Sequence, residues 1–366
     1  KRRVLIFTGK GTAAPYILKD CSMALKRAGC EVADYCITKN SDATRDVIRR
    51  INPDIIFTID YFGLTKEIVN EEKKVFVSWF VDNPFYYVDE THINEKLICF
   101  VTDKSYIKEL EMYNYRNVFY LPLATDILRM RKSMRKKLRS IGSGSVYKPD
   151  VSFVGTIGKR HREWEDERNS KFQSKQREIL NFLVKLKIKK PGLTFAELFE
   201  FCSKKFNIDI LKNITAYERG AIELRIDMET SSFFREKYLK ALKGRKVSVY
   251  GDEKWKEILP DSYYFGGRID YEKDVGALYR LSKVNLNITR TQIQTGINQR
   301  ILDIAATSSV FITDYRRTVQ EFFDVDISAL VYFNEEDLKD KVDKICLLYT
   351  SPSPRDLSTS RMPSSA

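Results

Sequence analysis

A loop of small residues followed by basic residues is the segment best suited to bind an anion. The loop 155–158 begins with Gly155, follows the apolar run Val151–Val154, and leads into Lys159 and Arg162. Backbone N–H groups of such a loop can approach a diphosphate closely, while lysine or arginine neutralises its charge. The pattern predicts a diphosphate site, and the alternative is a plain charged turn.

A second candidate site follows an alternating strand. Apolar and polar residues alternate from Val284, a polar loop at 290–299 contains Gly296, and a helical pattern then carries Arg300 and Asp303. Ligands of open parallel sheets bind at loops that leave the carboxyl ends of strands, and a helix N-terminus there can receive a phosphate. Asp303 is the candidate ligand-binding acid of this helix. The alternatives are a helix-surface charge at Asp303 and an intrahelical ion pair between it and Arg300.

Acids and histidines in other loops are further candidates. Asp82 ends an apolar strand and is a candidate catalytic base or acceptor-binding residue, or else forms an Asx-type turn before a proline. Asp252 follows the strand Val247–Tyr250 and is a candidate residue for binding the same ligand as the loop 155–158. The only histidines are His92 and His161; either could serve as a base, and a surface position is the alternative.

The sequence carries no motif for a metal site. It has six cysteines without a CxxC pair, and only two histidines. The acids Asp324 and Asp326 form a DxD beyond the last strand, which by itself does not predict a metal site. We therefore expect fixed cations to stabilise a leaving diphosphate. Cysteines of this spacing are typical of reduced, buried thiols in a cytosolic protein.

Short apolar strands alternate with helical patterns along most of the chain, which predicts an α/β protein with parallel sheets. The start is a βαβ unit in which Gly9 and Gly11 follow the first strand. Ala14 stands where a dinucleotide-binding fingerprint has its third glycine, so a tight turn and a ligand loop both remain open. Residues 165–240 read as a helical insertion.

The second candidate site also carries a family resemblance. Residues 285–289 (NLNIT), Gly296, Arg300, Asp303 and residues 313–315 (TDY) resemble CgeB-type (spore maturation protein) glycosyltransferases. The resemblance covers most of residues 240–345 and extends to residues 79–84 and 121–124. It implies a GT-B fold, in which two Rossmann-like domains face each other across a cleft, the first holding the acceptor and the second a nucleotide sugar. Retaining GT-B enzymes often carry two acids eight positions apart. The resemblance places Asp303 at the second position and implies that it accepts hydrogen bonds from ribose hydroxyls, while Thr295 stands at the first, so the stereochemical outcome stays open.

Composition and resemblance together predict a domain plan. It comprises an N-terminal domain at 1–139, a linker at 140–150, and a C-terminal domain at 151–345 with the helical insertion and a truncated end. Residues 346–366 are rich in serine and proline and resemble a translated sequencing adapter, so we expect an artefactual disordered tail. The chain does not begin with Met, and we expect the native start to lie upstream.

The charge pattern bears on partners. The formal net charge is +13, and residues 128–139 hold seven basic residues and no acid. This segment predicts a solvated linker helix, a contact with an anionic membrane, or a nucleic-acid contact. Dispersed basic residues and the absence of a recognised motif argue against nucleic acid.

The resulting functional prediction is a metal-independent glycosyltransferase. It needs no cofactor and uses a nucleotide-diphosphate sugar, UDP-sugar above all, as co-substrate. The acceptor is an unknown glycan, protein or cell-surface molecule, and the location is cytoplasmic or peripheral at the inner membrane face. The alternatives are a basic nucleic-acid-binding protein and an inactive glycosyltransferase-like protein.

Overall fold

The computed structural model describes residues 1–9, 14–37, 41–71, 74–88, 95–135, 148–212, 214–325 and 330–350. The chain forms two compact units. Unit 1 comprises Lys1–Leu123, Glu165–Thr230 and Arg290–Ile297, and unit 2 comprises Ala124–Trp164, Ser231–Thr289 and Asn298–Ala366.

Within the described ranges, each unit contains a six-stranded sheet. The strands of unit 1 are β1 (Arg3–Thr8), β2 (Glu31–Cys36), β3 (Ile55–Ile59), β4 (Val75–Phe80), β5 (Leu97–Val101) and β6 (Val118–Tyr120). The strands of unit 2 are β7 (Val151–Val154), β8 (Val247–Tyr250), β9 (Tyr264–Phe265), β10 (Val284–Asn287), β11 (Phe311–Asp314) and β12 (Leu330–Tyr332).

Helices connect most of these strands. They are α1 (Ala14–Arg27), α2 (Ser41–Ile51), α3 (Lys66–Glu71), α4 (Ser105–Glu111), α5 (Ile127–Met134), α6 (His161–Lys171), α7 (Ser174–Lys189), α8 (Phe195–Phe206), α9 (Ala216–Ala241), α10 (Trp255–Ile258), α11 (Val275–Leu281), α12 (Gln299–Ala306), α13 (Val319–Phe322) and α14 (Glu335–Thr350). A 3-10 turn spans Pro84–Tyr86.

The sheet of unit 1 has the strand order β2-β1-β3-β4-β5-β6, and every pair is parallel. Its inner strands are apolar on both faces, as expected for a parallel sheet covered by helices. Because all strands run the same way, their carboxyl ends lie along one edge. The residues that follow β1, β3 and β4 (Gly9, Asp60 and Asp82) therefore lie along that edge.

The sheet of unit 2 has the order β12-β11-β10-β7-β8-β9 and is also parallel throughout. All four residues of β10 are buried. Val284 and Leu286 enter the apolar core, while Asn285 donates to the carbonyls of Tyr279 and Val310. This confirms the predicted α/β class with two parallel sheets.

The helices that lie between β7 and β8 in the sequence belong mainly to unit 1. Residues of α7, α8 and the first part of α9 form one apolar cluster that includes Leu183, Phe199 and Ile226. The sequence predicted this insertion as part of the C-terminal domain, whereas Glu165–Thr230 groups with the first sheet. The boundaries 1–139, 140–150 and 151–345 themselves stay predictions.

The last described helix extends past the expected start of the tail. The sequence placed a disordered tail from Cys346, but α14 continues to Thr350, and Cys346 is buried beside Val342 in the core of unit 2. Residues 351–366 lie outside the described residues, as do 136–147 of the predicted linker and basic segment. Within the described ranges, no helix combines the length and apolarity needed to cross a membrane.

Candidate functional site

The loop 155–158 of unit 2 is held by an acid from the next strand. The Oδ2 atom of Asp252 accepts hydrogen bonds of 2.9 Å from the N–H groups of both Ile157 and Gly158. Two predicted site residues, Gly155 and Asp252, are thus brought together. The same contact engages two N–H groups that we expected to face a phosphate, so Asp252 shapes this loop from within.

Basic residues after the loop differ in how they are anchored. The ammonium of Lys159 lies 4.3 Å from the ring centroid of Trp164. Arg160 forms an ion pair of 3.0 Å with Glu236, which fixes it within the protein. Arg162 lies exposed in the first turn of α6. Of the three cations, Arg162 is therefore the most accessible to a ligand.

Arg300 lies beside the same loop. Its guanidinium donates a 3.0 Å hydrogen bond to Oδ1 of Asn287 and lies 5.6 Å from the ring centroid of Phe153. A Cβ atom built at Gly155 would lie 3.4 Å from the Nη2 atom of Arg300. The predicted alternative, an ion pair with Asp303, is not formed, because Arg300 bonds to Asn287 instead. Burial lowers the pKa of Arg300 from its ordinary value.

Asp303 is buried, and its hydrogen bonds with other described residues come from hydroxyl groups. It is 2 % exposed, its Oδ2 atom accepts a 2.8 Å hydrogen bond from Tyr271, and its Oδ1 atom accepts one from Thr125. Burial raises the pKa of Asp303 to about 6, against the lowering effect of these hydroxyls and of Arg129. The alternative of a helix-surface charge is wrong, since this carboxyl is an internal acceptor of hydroxyl hydrogen bonds.

The loop 290–297 belongs to unit 1, where one carboxylate fixes it. Oδ2 of Asp103 accepts hydrogen bonds of 2.7, 2.7 and 3.0 Å from the N–H groups of Gln294, Thr295 and Gly296. Oδ1 accepts from the hydroxyl of Thr295. Burial alone would raise the pKa of Asp103, but these hydrogen bonds and those of Ser105 hold it below its ordinary value. Gly296 is thus a residue of unit 1, and Asp303 one of unit 2.

Asp82 has a polar environment of its own in unit 1. Its Oδ1 accepts a 2.5 Å hydrogen bond from the amide of Gln292, and its Oδ2 accepts one of 3.2 Å from the hydroxyl of Tyr87. The Asx-type turn is formed by Asn83, whose side chain accepts from the N–H of Phe85. The turn alternative for Asp82 is therefore wrong.

Two polar groups beside the candidate residues were missed in the sequence. Asn287 accepts from Asn298 and Arg300, and donates to the hydroxyl of Thr313. Tyr271 links Asp303 to the amide of Gln299. A signal for the first existed, because a polar residue inside a strand buried on both faces needs hydrogen-bond partners. Tyr271 lies in an irregular segment and carried no signal.

The remaining candidates give little chemistry. His161 packs edge-on against the ring of Phe233, at 5.4 Å between centroids, and His92 lies outside the described residues. Across the described part of the chain, no group of three or more His, Cys, Asp or Glu side chains could hold a metal ion. Of the DxD acids, Asp326 also lies outside the described residues.

Comparison with known proteins identifies the architecture. A solved DNA-modifying β-glucosyltransferase, determined with and without its substrate uridine diphosphoglucose, aligns at a TM-score of 0.50 and 14 % identity, covering 98 % of this chain and 92 % of that one. This chain has a GT-B glycosyltransferase fold. The Anabaena protein Alr3699/HepE, solved with UDP and glucose, aligns at a TM-score of 0.45 and 10 % identity, covering 94 % and 89 %.

The sequence comparisons match a shorter part of the chain than the structural comparisons do. A family model described as glycosyl transferase-like matches residues 230–347. None of the curated proteins compared with the chain matches it. The family match covers the segment that carries the CgeB-type resemblance, and it leaves that finer assignment as a prediction.

Proposed function

We propose that this chain is a glycosyltransferase that moves a sugar from a nucleotide-diphosphate sugar, with UDP-sugar as donor, to an acceptor hydroxyl. The GT-B fold and the glycosyl transferase-like match at residues 230–347 support this reaction class. The similar β-glucosyltransferase has uridine diphosphoglucose as its substrate, which supports a UDP-sugar here.

The observation that carries the proposal is the arrangement at the carboxyl edge of the second sheet. Arg300 lies against the loop that begins at Gly155, and Lys159 and Arg162 follow the same loop. Asp252 orders the loop from within. We assign the donor diphosphate to this loop and its cations, since Lys and Arg can stabilise a leaving diphosphate without a metal ion.

Asp303 is the proposed ribose partner. Both of its protein partners are hydroxyls, the same group that a ribose offers, so a ribose hydroxyl can replace one of them without changing the chemistry of the contact. We also propose Gly296 as a residue that allows the backbone to approach the donor closely. In unit 1, Asp82 is the proposed base, since its carboxylate is held in place by a side-chain amide and a phenol.

Calorimetric titration of the whole protein with UDP and with uridine tests the donor assignment. We expect UDP to bind more tightly than uridine, with no change on addition of EDTA. Hydrolysis of a panel of nucleotide sugars then identifies the sugar. The acceptor panel should contain glycans, peptides, lipid-linked sugars and duplex DNA, because the similar enzyme is described as DNA-modifying.

Two outcomes would replace the proposal. Absent UDP binding, together with DNA binding that weakens steeply with salt, would favour the basic nucleic-acid-binding alternative. UDP binding without turnover of any sugar in the panel would favour an inactive glycosyltransferase-like protein.

A further inference from the structure

Unit 1 contains a cavity that is lined by none of the predicted donor residues. It has a volume of about 360 Å³ and lies at the carboxyl ends of β1 and β3. Its walls are mainly apolar and aromatic, with Leu18, Leu64 and Phe62 among them. Phe62 is 42 % exposed although it is a large apolar side chain. A cavity with such walls suits an apolar ring.

Among the described residues that line this apolar cavity, Asp60 carries the one carboxyl group. Its Oδ1 atom accepts hydrogen bonds of 2.9 and 3.3 Å from the N–H groups of Val81 and Asp82. Within the described part of the chain, Oδ2 receives no comparable bond. The carboxyl is therefore fixed in orientation by one oxygen, which leaves the other for a ligand.

The backbone at this position is held in an unusual conformation. Asp60 and Tyr61 have φ angles of +51° and +59°, a left-handed region that a tyrosine rarely adopts. Two hydrogen bonds hold this conformation: the N–H of Tyr61 donates to Ser78, and the hydroxyl of Thr58 donates to the carbonyl of Phe62. Strained residues held by their surroundings concentrate at functional sites.

The apolar walls of the cavity favour a ligand without net charge. Burial, and then the charge of the neighbouring Asp82, raise the pKa of Asp60 well above its ordinary value. A hydroxyl that donates a hydrogen bond to the free Oδ2 atom would stabilise this buried carboxyl group. A neutral alcohol supplies such a donor, and an asparagine amide group in place of Oδ2 could not accept this hydrogen bond.

We propose that this cavity binds a neutral alcohol with an apolar or aromatic ring, whose hydroxyl hydrogen-bonds to Asp60. The assignment rests on the proposed function in one respect: the bound alcohol is the acceptor of the transfer. Binding of the alcohol itself requires only unit 1.

A fluorescent phenol, 4-methylumbelliferone, tests the site on the whole protein without any donor. We expect saturable binding, and clearly weaker binding of its methyl ether, which lacks the hydroxyl hydrogen. Asp60→Asn should weaken phenol binding about tenfold or more, the range expected for losing a hydrogen bond to a carboxyl group. The matched control is Asp46→Asn, which removes an exposed acid of the same unit and should bind like the wild type.

A second variant keeps the proposal testable if Asp60→Asn does not fold. Ala14 lines the cavity at the start of α1 and keeps partial exposure, so Ala14→Trp should fill the cavity and abolish phenol binding. Absence of saturable binding to the wild type, or wild-type affinity in both variants, would overturn the site. Titration with UDP is run in parallel: failure of UDP to bind would contradict the proposed function alone, and failure of the phenol would contradict this site alone.

Discussion

At the scale of single residues, the buried carboxyl of Asp303 should make the stability of the protein depend on pH. Its pKa is raised to about 6 from an ordinary value of 3.8. A group whose folded pKa lies above its unfolded pKa binds a proton on folding, so its ionisation opposes folding above the folded pKa. The stability contribution of Asp303 therefore falls as pH rises from about 4 to above 6.

Replacing Asp303 with Asn removes this ionisation. We expect the free energy of unfolding of Asp303→Asn, relative to wild type, to rise by about 2–3 kcal/mol between pH 4 and pH 7.5, from the shift of roughly two units. Urea denaturation at both pH values measures the difference. Asp261→Asn, at an exposed position of the same unit, is the control. A difference that does not change with pH would contradict the assignment.

The cations of the donor site should distinguish UDP from uridine. Lys159→Ala, Arg162→Ala and Arg300→Gln should each weaken UDP about 10- to 150-fold and leave uridine nearly unchanged, because only UDP carries the diphosphate. Asp303→Ala should weaken both ligands, since both contain the ribose. Titration calorimetry measures the four variants.

The control for these titrations is Arg317→Ala, which removes an exposed cation of the same unit outside the predicted site. If a cation variant loses equal affinity for UDP and uridine, its residue does not hold the diphosphate. An unchanged affinity in Asp303→Ala would remove that residue from the ribose site.

Residue types in the candidate site were predictable, and their partners were not. The small-residue loop at Gly155 and the acid Asp303 follow from local pattern and resemblance. That Asp252 binds the N–H groups of Ile157 and Gly158 could not be predicted, because the contact spans more than ninety positions. The capture of Gly296 by Asp103, 193 positions away, is of the same kind.

At the scale of elements, α9 packs on the segment after β4 with no room for a side chain at Gly220. A Cβ atom there would lie 1.7 Å from the carbonyl oxygen of Phe85. Alanine normally stabilises a helix interior by about 1 kcal/mol over glycine. Overpacking against a fixed carbonyl costs about 1–3 kcal/mol or more. We therefore expect Gly220→Ala to lower the free energy of unfolding, despite its better helix propensity.

The matched control for this substitution is Gly192→Ala. Gly192 lies between α7 and α8, and a Cβ atom there meets nothing within 4 Å. Its stability should change by less than about 0.5 kcal/mol. Denaturation of both variants in urea decides the point: a stabilised Gly220→Ala would show that α9 can shift away from Phe85.

The exposed face of α5 is the element that could contact an anionic membrane. Ile127 and Leu128 are 50 % and 67 % exposed, and Arg131, Lys132 and Arg135 are exposed one and two turns further on. Each basic residue near an anionic surface contributes about 1 kcal/mol. Changing the three cations to Gln should therefore reduce binding to phosphatidylserine vesicles about 100-fold at low salt.

Vesicle co-sedimentation measures this binding. The control carries the same charge change on another exposed surface of unit 2, Lys254→Gln, Lys256→Gln and Arg268→Gln. If both triple variants lose vesicle binding equally, the binding depends on net charge and not on α5. Absence of binding by the wild type would leave α5 as a solvated helix.

The positions of helices and strands in the sequence were more predictable than the unit into which each element packs. The alternation from Val284 and the apolar runs Val151–Val154 and Val247–Tyr250 placed β10, β7 and β8 closely, because a strand's period is a local property. The grouping of α7, α8 and the first part of α9 with the first sheet depends on packing between distant segments. The amphipathic pattern of a helix shows that one face is buried but does not show against which partner.

At the scale of the whole molecule, unit 1 is built from three separate stretches of chain. Arg219 of α9 forms ion pairs with Glu109 and Glu223, and its guanidinium lies 3.8 Å from the ring centroid of Phe85. A fragment comprising residues 1–139 lacks this cover. We expect it to unfold without a cooperative transition, and a fragment 148–366 mixed with it to restore one.

Circular dichroism during heating, with light scattering to detect aggregation, measures both fragments and their mixture. The intact chain is the reference. A fragment 1–139 that melts cooperatively at the midpoint of the intact chain would show that the first sheet is self-sufficient, and would support the predicted domain boundary at residue 139.

The three-part construction of unit 1 also has a consequence during synthesis. Its six strands are complete by Tyr120, but its last segment, Arg290–Ile297, leaves the ribosome only after about 170 further residues. At 5–20 residues per second, this interval is roughly 10 to 35 seconds. Throughout it, the N–H groups of Gln294, Thr295 and Gly296 that bond to Asp103 do not yet exist, so we expect the nascent sheet to need protection from aggregation until translation reaches that segment.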